Sequence, residues 1–287
     1  MGAAPDRGFI VGSRYRLESK LGEGGMAVVW RAVHTETDRA VALKLVRAEL
    51  VTEPSVREMF VREARVGARI GKNEHIVEVL DAGLDETLLA PFLAMELLEG
   101  EPLDAALKQT GPVEPTFAAE LLEALADALD QAHAAGVFHR DLKPQNLFLA
   151  RGRRGKRVLK VLDFGIAKLA ETVQQSTTHV GTPAYSAPEQ LGASWRTIAE
   201  QRGRVIAAQV SAATDVWALG LIAFEMLTAA PSGAFWGAET LAELPLKMVL
   251  EPLPSAFARA RDRAPLLPSI FDGWIARCLD LDASRRF

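Results

Sequence analysis

Cysteine is almost missing: Cys278 is the only one in 287 residues. No disulfide can form within the chain, and a cysteine-built zinc site lacks ligands. That scarcity fits a reducing compartment. Long apolar runs are missing too. No stretch of about 18 such residues occurs, so nothing in the sequence reads as a membrane-spanning helix. The start, Met1-Gly2-Ala3-Ala4-Pro5-Asp6-Arg7, lacks a signal peptide's apolar segment, and Asp6 stands where a myristoylation motif needs Ser or Thr. Gly and Pro, at 22 and 15, are too few for collagen-like or low-complexity chains. No fixed period repeats, which removes solenoids and propellers. Positive charge is in slight deficit, 33 Lys and Arg against 37 Asp and Glu. A net charge of -4 sets aside a general nucleic-acid binder.

Apolar residues are plentiful at 49%, enough for a real core. Short β-like runs at 15–21, 28–34 and 39–46 are separated by Gly-rich or polar turns. In the third, Val41, Leu43 and Leu45 point one way and Ala42, Lys44 and Val46 the other. A helix is expected from near Pro54 to Ile70, stopped by Gly71, then strands at 76–82 and 89–97. Helix 116–135 carries an apolar stripe of Phe117, Leu121, Leu125, Leu129 and Ala132. Helix 215–228 is apolar almost all round, as a buried central helix would be. Two short strands fall between them, at 147–150 and 158–162. The chain reads as an α+β protein of two lobes, β-rich then α-helical, with the boundary near 95–100.

Leu21-Gly22-Glu23-Gly24-Gly25-Met26-Ala27-Val28-Val29 lies between two expected strands. Glycines let backbone N–H groups approach phosphate oxygens, though such a run by itself is more often just a turn. No Gly-Lys-Ser/Thr follows, which excludes a P-loop. No helix follows, which excludes a dinucleotide fingerprint. Lys44 sits on an apolar strand, where an unpaired charge is costly. Glu63 shares a helix face with Phe60, Gly67 and Ile70, and offers the opposite charge. His139-Arg140-Asp141-Leu142-Lys143-Pro144-Gln145-Asn146 gathers an acid, a base and an amide in one loop. Asp163-Phe164-Gly165 follows a strand, and Asp163 with Asn146 supplies the hard oxygen atoms Mg²⁺ requires.

Taken with Val41-Ala42-Leu43-Lys44 and Ala187-Pro188-Glu189, this ordered set resembles the eukaryotic-like (Hanks-type) protein kinases from residue 15 to 287. The Gly-Glu-Gly-Gly-Met loop, the run Thr182 to Gln190 and Lys143 resemble the bacterial Ser/Thr branch. The resemblance implies a bilobal protein-kinase fold: a leader at 1–14, an ATP-binding N-lobe at 15–96 and a C-lobe at 97–287 with its last helix truncated. It implies a serine/threonine protein kinase that uses ATP and Mg²⁺ on Ser/Thr hydroxyls of proteins. The alternative is a pseudokinase or scaffold that binds ATP without efficient transfer. A small-molecule phosphotransferase is not expected to carry Ala-Pro-Glu. Cytoplasmic placement is implied for this domain, with any membrane anchor beyond Phe287, as is self-association for autophosphorylation in trans.

Residue by residue, the resemblance places Leu21, Gly22, Glu23, Gly24, Gly25, Met26, Ala27, Val28 and Val29 around the nucleotide. Gly22, Gly24 and Gly25 cover its phosphates, and Val29 and Ala42 lie above the adenine. Lys44 holds the α- and β-phosphates, oriented by Glu63. Met95 resembles the gatekeeper, Glu96 to Leu98 the hinge and Phe148 the floor. Asp163 and Asn146 ligate Mg²⁺. Asp141 takes the hydroxyl proton, and Lys143 offsets charge on the transferring group. His139 packs behind the site, and Asp215 holds the catalytic-loop backbone. Glu189 pairs with Arg285. Cys278 packs between helices, while His133 and His179 have no partner. Arg140 before Asp141 goes with activation-loop phosphorylation, expected at Thr177 or Thr178. Thr182 instead contacts the catalytic Asp and Lys.

Three departures stand out. Ala27 replaces the third glycine of the loop, which fits if its φ is negative. The basic turn 151–157 reads as a solvated hairpin tip. Glu189 and Asp215 lie 26 positions apart, about twice the family's usual spacing. The insertion suggests a helix from Ser194 as N-cap to Gly203, with Trp195, Ile198 and Arg202 on one face. It is either a docking or self-association element or a tolerated surface decoration.

Overall fold

The computed structural model describes residues 5–25, 27–47, 50, 69–152, 155–164 and 183–287. The chain divides into two compact units, Met1–Gly100 with Ala150–Thr177, and Glu101–Leu149 with Thr178–Phe287.

The first unit is built on a six-stranded sheet. Its strands are β1 (Ile10–Val11), β2 (Tyr15–Glu23), β3 (Ala27–His34), β4 (Ala40–Val46), β5 (Val79–Asp85) and β6 (Ala90–Glu96). Their order is β1-β2-β3-β4-β6-β5, and every neighbouring pair is antiparallel. Residues 10–11 of the expected leader therefore belong to the sheet. The alternation expected in β4 holds as far as Leu45: Val41, Leu43 and Leu45 are buried and Ala42 and Lys44 are only half-buried, but Val46, expected on the second face, is buried too. β6 lies between two strands and is buried from Ala90 to Met95, so it reads as one apolar run. The strand expected at 76–82 begins only at Val79. Asn73 Oδ1 accepts from His75 N at 2.6 Å and Asn73 O accepts from Ile76 N at 3.3 Å, closing a turn. Ile76 is left with a single bridge to Val161. Of the helix expected to end at Ile70, only residues 69–70 are described, and they are helical.

β7 (Gly100–Pro102) leads into the helical unit. There follow α1 (Leu103–Thr110), α2 (Pro115–Ala134), β8 (Leu147–Arg151), β9 (Arg157–Val161), α3 (Ala193–Gln201) and α4 (Ala212–Thr228). After these come α5 (Ser232–Trp236), α6 (Leu244–Leu250), α7 (Ala256–Ala260) and α8 (Phe271–Cys278). Between β8 and β9, Gly152 N–H donates to Lys156 O at 2.7 Å, and Arg151, Lys156 and Arg157 are exposed, as a hairpin tip would be. On α2 the buried stripe is Ala118, Leu121, Leu125, Ala128, Leu129 and Ala132. Phe117, expected in it, is only half-buried. α4 is buried almost throughout. Close packing explains its glycine: a Cβ on Gly220 would meet Cys278 Cβ at 2.7 Å. Cys278 is fully buried, so its expected packing role is seen. Burial pushes its thiol up to about 12, against a smaller opposing pull from Arg286 and Arg277.

The insertion does form a helix, with a corrected start. α3 opens at Ala193 with Gly192 at the N-cap, and no side-chain cap bond is made there. Gly192 takes φ of 96°, a turn a glycine makes without strain, which leaves Ser194 inside the first turn. Gly203 ends the segment with φ of 67°, as expected. The buried contact is Ala199; Trp195 and Ile198 are half-buried and Arg202 is exposed. Beyond the helix, Arg204 Nη1 donates to Val249 O at 2.6 Å and Glu251 O at 3.1 Å, tying the loop to the end of α6. Among the described residues no helix is long and apolar enough to cross a membrane.

Candidate functional site

In the first unit the Gly-rich turn joins β2 to β3. Two register shifts, between Leu17 and Ser19 and between Lys20 and Gly22, bend β2 as it enters the turn. Gly24 N–H donates to Ala27 O at 2.9 Å. Arg47 braces the turn from the end of β4: its Nε donates to Gly24 O at 2.7 Å and its Nη2 lies 2.9 Å from Glu23 Oε1. The interior does not require these glycines. A Cβ on Gly22 or Gly25 would meet nothing within 4 Å, and neither takes a left-handed φ. Such a turn leaves open the room a phosphate group would occupy. Ala27 also avoids positive φ and starts β3 opposite Val46, so the missing third glycine is no obstacle. Leu21 is exposed, and Val28 and Val29 are half-buried. Met26 lies outside the described residues.

Lys44 Nζ reaches Asp163 Oδ1 at 2.8 Å, with the lysine side chain 13% exposed and the carboxylate 38%. Glu63, expected to orient Lys44, lies outside the described residues. Asp163 follows β9 and takes φ of 55°, a left-handed conformation costing about 1–3 kcal/mol for a residue with a Cβ. Such strain at a candidate metal ligand is stored where geometry matters. Ala42 and Met95 face each other in the β4–β6 register, and Met95 is buried. Beyond Met95, Glu96 N–H donates to Glu78 O at 3.0 Å and its carboxylate binds Lys160 Nζ at 2.6 Å.

In the second unit the loop 139–146 is drawn tightly around Asp141. Lys143 Nζ donates to Asp141 Oδ2 at 2.7 Å. Asn146 Nδ2 donates to Asp141 O at 2.8 Å and to Oδ2 at 3.3 Å. With its nitrogen so engaged, Asn146 has its Oδ1 as the side-chain oxygen that could serve a metal. Phe148 is half-buried between the buried Leu147 and Leu149, so it points to the opposite face of β8. Carboxylate and amide oxygens suit Mg²⁺, which binds through one or two protein ligands plus substrate phosphates. Among the described residues no cluster of three or more His, Cys, Asp or Glu could hold a metal ion.

Asp215 holds the loop from behind, as expected. It is 1% exposed, accepts from His139 N and Arg140 N at 2.8 Å each, and also binds His133 Nε2 at 2.8 Å. The expectation that His133 lacks a partner is corrected: α2 brings it to α4 across 82 residues of sequence. His139 is fully buried, in keeping with a packing role. The partner of Glu189 is also corrected. It is Arg286, at 2.8 and 3.0 Å, while Arg285 points outward to Asp280 at 3.2 Å. The short turn Ala283–Arg285 decides which of the two faces inward. Tyr185 donates to the buried carboxyl of Glu225, which burial pushes above the usual range while that bond pulls it back. Thr172, Ser176, Thr177, Thr178, His179 and Thr182 lie outside the described residues.

Sequence reasoning missed Arg47 and Gln190. Gln190 Nε2 donates to Arg140 O at 2.8 Å, and its Oε1 accepts from Ala187 N at 3.0 Å. Gln190 ends a run that the resemblance already quoted, but its hold on Arg140, like that of Arg47 on Gly24, is a contact distant in sequence.

Residues 15–287 match the family described as the protein kinase domain. The chain is 36% identical over 265 residues to the serine/threonine-protein kinase PknH of Mycobacterium bovis, covering 92% of this chain and 40% of that protein. It is 41% identical over 227 residues to Pkn1 of Myxococcus xanthus, covering 76% and 30%. The chain thus spans less than half the length of these relatives. Among solved structures, the PknI kinase domain of Mycobacterium tuberculosis aligns with a TM-score of 0.70 and 26% identity, covering 99% of this chain and 94% of that one.

Proposed function

The chain belongs to the protein kinase domain family, in its bacterial serine/threonine branch, and on that premise we propose how its residues transfer the ATP γ-phosphoryl group to Ser/Thr hydroxyls of proteins. In this reading Lys44 and the Gly22–Gly25 backbone hold the ATP phosphates, and the Leu98 N–H and Glu96 backbone bind the adenine edge. Asp163 and Asn146 hold Mg²⁺, whose charge offsets that of the phosphate oxygens. Asp141 accepts the hydroxyl proton and aims the nucleophile. Lys143 balances negative charge beside it. In such a loose transition state, positioning and electrostatics carry most of the catalysis.

The observation that carries this reading is the joint hold of Lys143 and Asn146 on Asp141, which leaves Oδ1 of the carboxylate for an incoming hydroxyl. Autophosphorylation at Thr177 or Thr178, self-association that would allow it in trans, and a cytoplasmic setting belong to the same proposal. The activity needs ATP, which a cytoplasmic setting supplies.

The test is intact mass before and after incubation with Mg-ATP, for the wild type and Asp141→Asn together. Mass gained in steps of one phosphoryl group by the wild type alone supports the reading, because general-base assistance is worth about 10²–10⁴-fold. ATP binding without transfer, even to a panel of Ser/Thr peptides, would make this chain a nucleotide-binding scaffold instead.

A further inference from the structure

The peptide joining Arg140 to Asp141 is held in an unfavourable conformation by groups from elsewhere in the fold. Arg140 takes φ of 66° although it carries a long side chain. Its N–H is fixed by Asp215 Oδ1 at 2.8 Å, and its carbonyl accepts from Gln190 Nε2 at 2.8 Å. That carbonyl and the Asp141 N–H lie in one rigid plane. Turning the plane would swing the Asp141 side chain with it.

Gln190 is well placed to resist such a turn. It closes the one-turn helix Pro188–Gln190, with its N–H on Ala187 O at 2.9 Å. Its neighbour Glu189 is locked by Arg286 and by Thr214 Oγ1 at 2.8 Å. The orientation of its amide follows from chemistry: only the oxygen can accept from Ala187 N, and only the NH₂ can donate to Arg140 O. Both bonds can form at once in this orientation alone.

We propose that Gln190 is a positioning residue for phosphoryl transfer, its amide N–H holding the Arg140 carbonyl so that Asp141 faces the reacting hydroxyl. The inference rests on the function proposed above. Whatever shifts the one-turn helix Pro188–Gln190 shifts the donor on Arg140 O, and the aim of Asp141 changes with it.

Two substitutions separate this role from plain turn-making. Gln190→Glu keeps an oxygen for Ala187 N but replaces the donor to Arg140 O with a second acceptor. Gln190→Met keeps the bulk and removes both bonds. Peptide phosphorylation kinetics on the 287-residue chain should show kcat down about 10–100-fold for both variants, since a misplacement near 1 Å costs about that much. KM for ATP should stay within about twofold, because Gln190 lies in the unit that does not carry Lys44. The Arg140 carbonyl ¹³C resonance, which needs no turnover, should move in both variants. Wild-type kcat in Gln190→Glu, or an unmoved resonance, would overturn the proposal. So would a parallel loss of kcat, ATP affinity and thermal stability. A wild type that transfers nothing, alongside a resonance that moves, refutes the kinase reading and leaves the contact established.

Discussion

Arg286 reaches 97 residues back along the chain and grips the Glu189 carboxylate through both terminal nitrogens, at 2.8 and 3.0 Å, with neither side chain exposed. Around them, Thr214 Oγ1 donates to Glu189, Arg286 Nη1 donates to Ala213 O, and the guanidinium lies 5.0 Å over the Trp217 ring. A buried pair is tolerable only because every charge finds such partners. Removing one member leaves the other uncompensated. Arg286→Ala should cost about 3–5 kcal/mol. Arg285→Ala, at an exposed side chain, should cost less than about 1 kcal/mol. Urea unfolding of the two variants side by side decides it, and equal losses would contradict the assignment.

Asp163 Oδ1 accepts from Lys44 Nζ at 2.8 Å, and in the proposed function the same carboxylate would also bind Mg²⁺. Asp163→Asn preserves the shape and deletes the charge. The Mg²⁺ concentration for half-maximal phosphorylation should rise at least about tenfold, the scale seen when metal sites lose a supporting group. Initial rates across a Mg²⁺ titration at fixed ATP measure this. An unmoved midpoint would remove Asp163 from the metal site.

Arg47 is the brace on the Gly-rich turn, and it is partly exposed. Arg47→Ala should loosen the turn without touching the catalytic loop. KM for ATP should rise about two- to fivefold, the range of an exposed ion pair, with kcat held near wild type. A fall in kcat at unchanged KM would point to a different role.

Alkaline stability follows from two buried acids. Burial pushes Tyr15, helped by its bond to Asp81, and Cys278 to about 12 each. Unfolded, they ionise near about 10 and 8.5. Between the unfolded and folded values the unfolded chain gives up protons that the folded chain keeps. Stability is therefore full below about pH 8.5 and lost as pH rises toward 12, at about 1.4 kcal/mol per unit for each group. Urea midpoints from pH 8 to 10.5 should fall less steeply in Cys278→Ala than in wild type. Identical slopes would mean the thiol is not shielded. In the native protein that thiol should also resist alkylation until unfolding.

The outline of this protein was legible in its sequence because the signals are local. Period-two alternation in 40–46 and the apolar helix at 215–228 depend on neighbours a few residues away. The ordered motifs from Gly22 to Glu189 are strings of chemistry read without a fold. Where reading failed, either a local turn overrode the periodicity or the deciding contact was long-range. Asn73 turned residues 73–76 away from the strand periodicity alone had proposed. A glycine at 192 took the cap that Ser194 could have filled. Which of two adjacent arginines meets Glu189, and whether His133 has a partner, depends on turns that bring residues tens of positions apart within 3 Å.

The sequence by itself determined which chemical groups the protein owns and in what order. Side-chain identity and local spacing suffice to specify a glycine-rich turn, an acid with a lysine and an asparagine beside it, and a strand-end carboxylate. Only the tertiary structure decided how firmly those groups are held. The strained Arg140 peptide persists because Asp215 and Gln190, which are 75 and 50 residues away, fix it from both ends. A backbone conformation that is locally unfavourable is stable only when distant contacts outweigh its cost, and no local pattern in the chain records that sum.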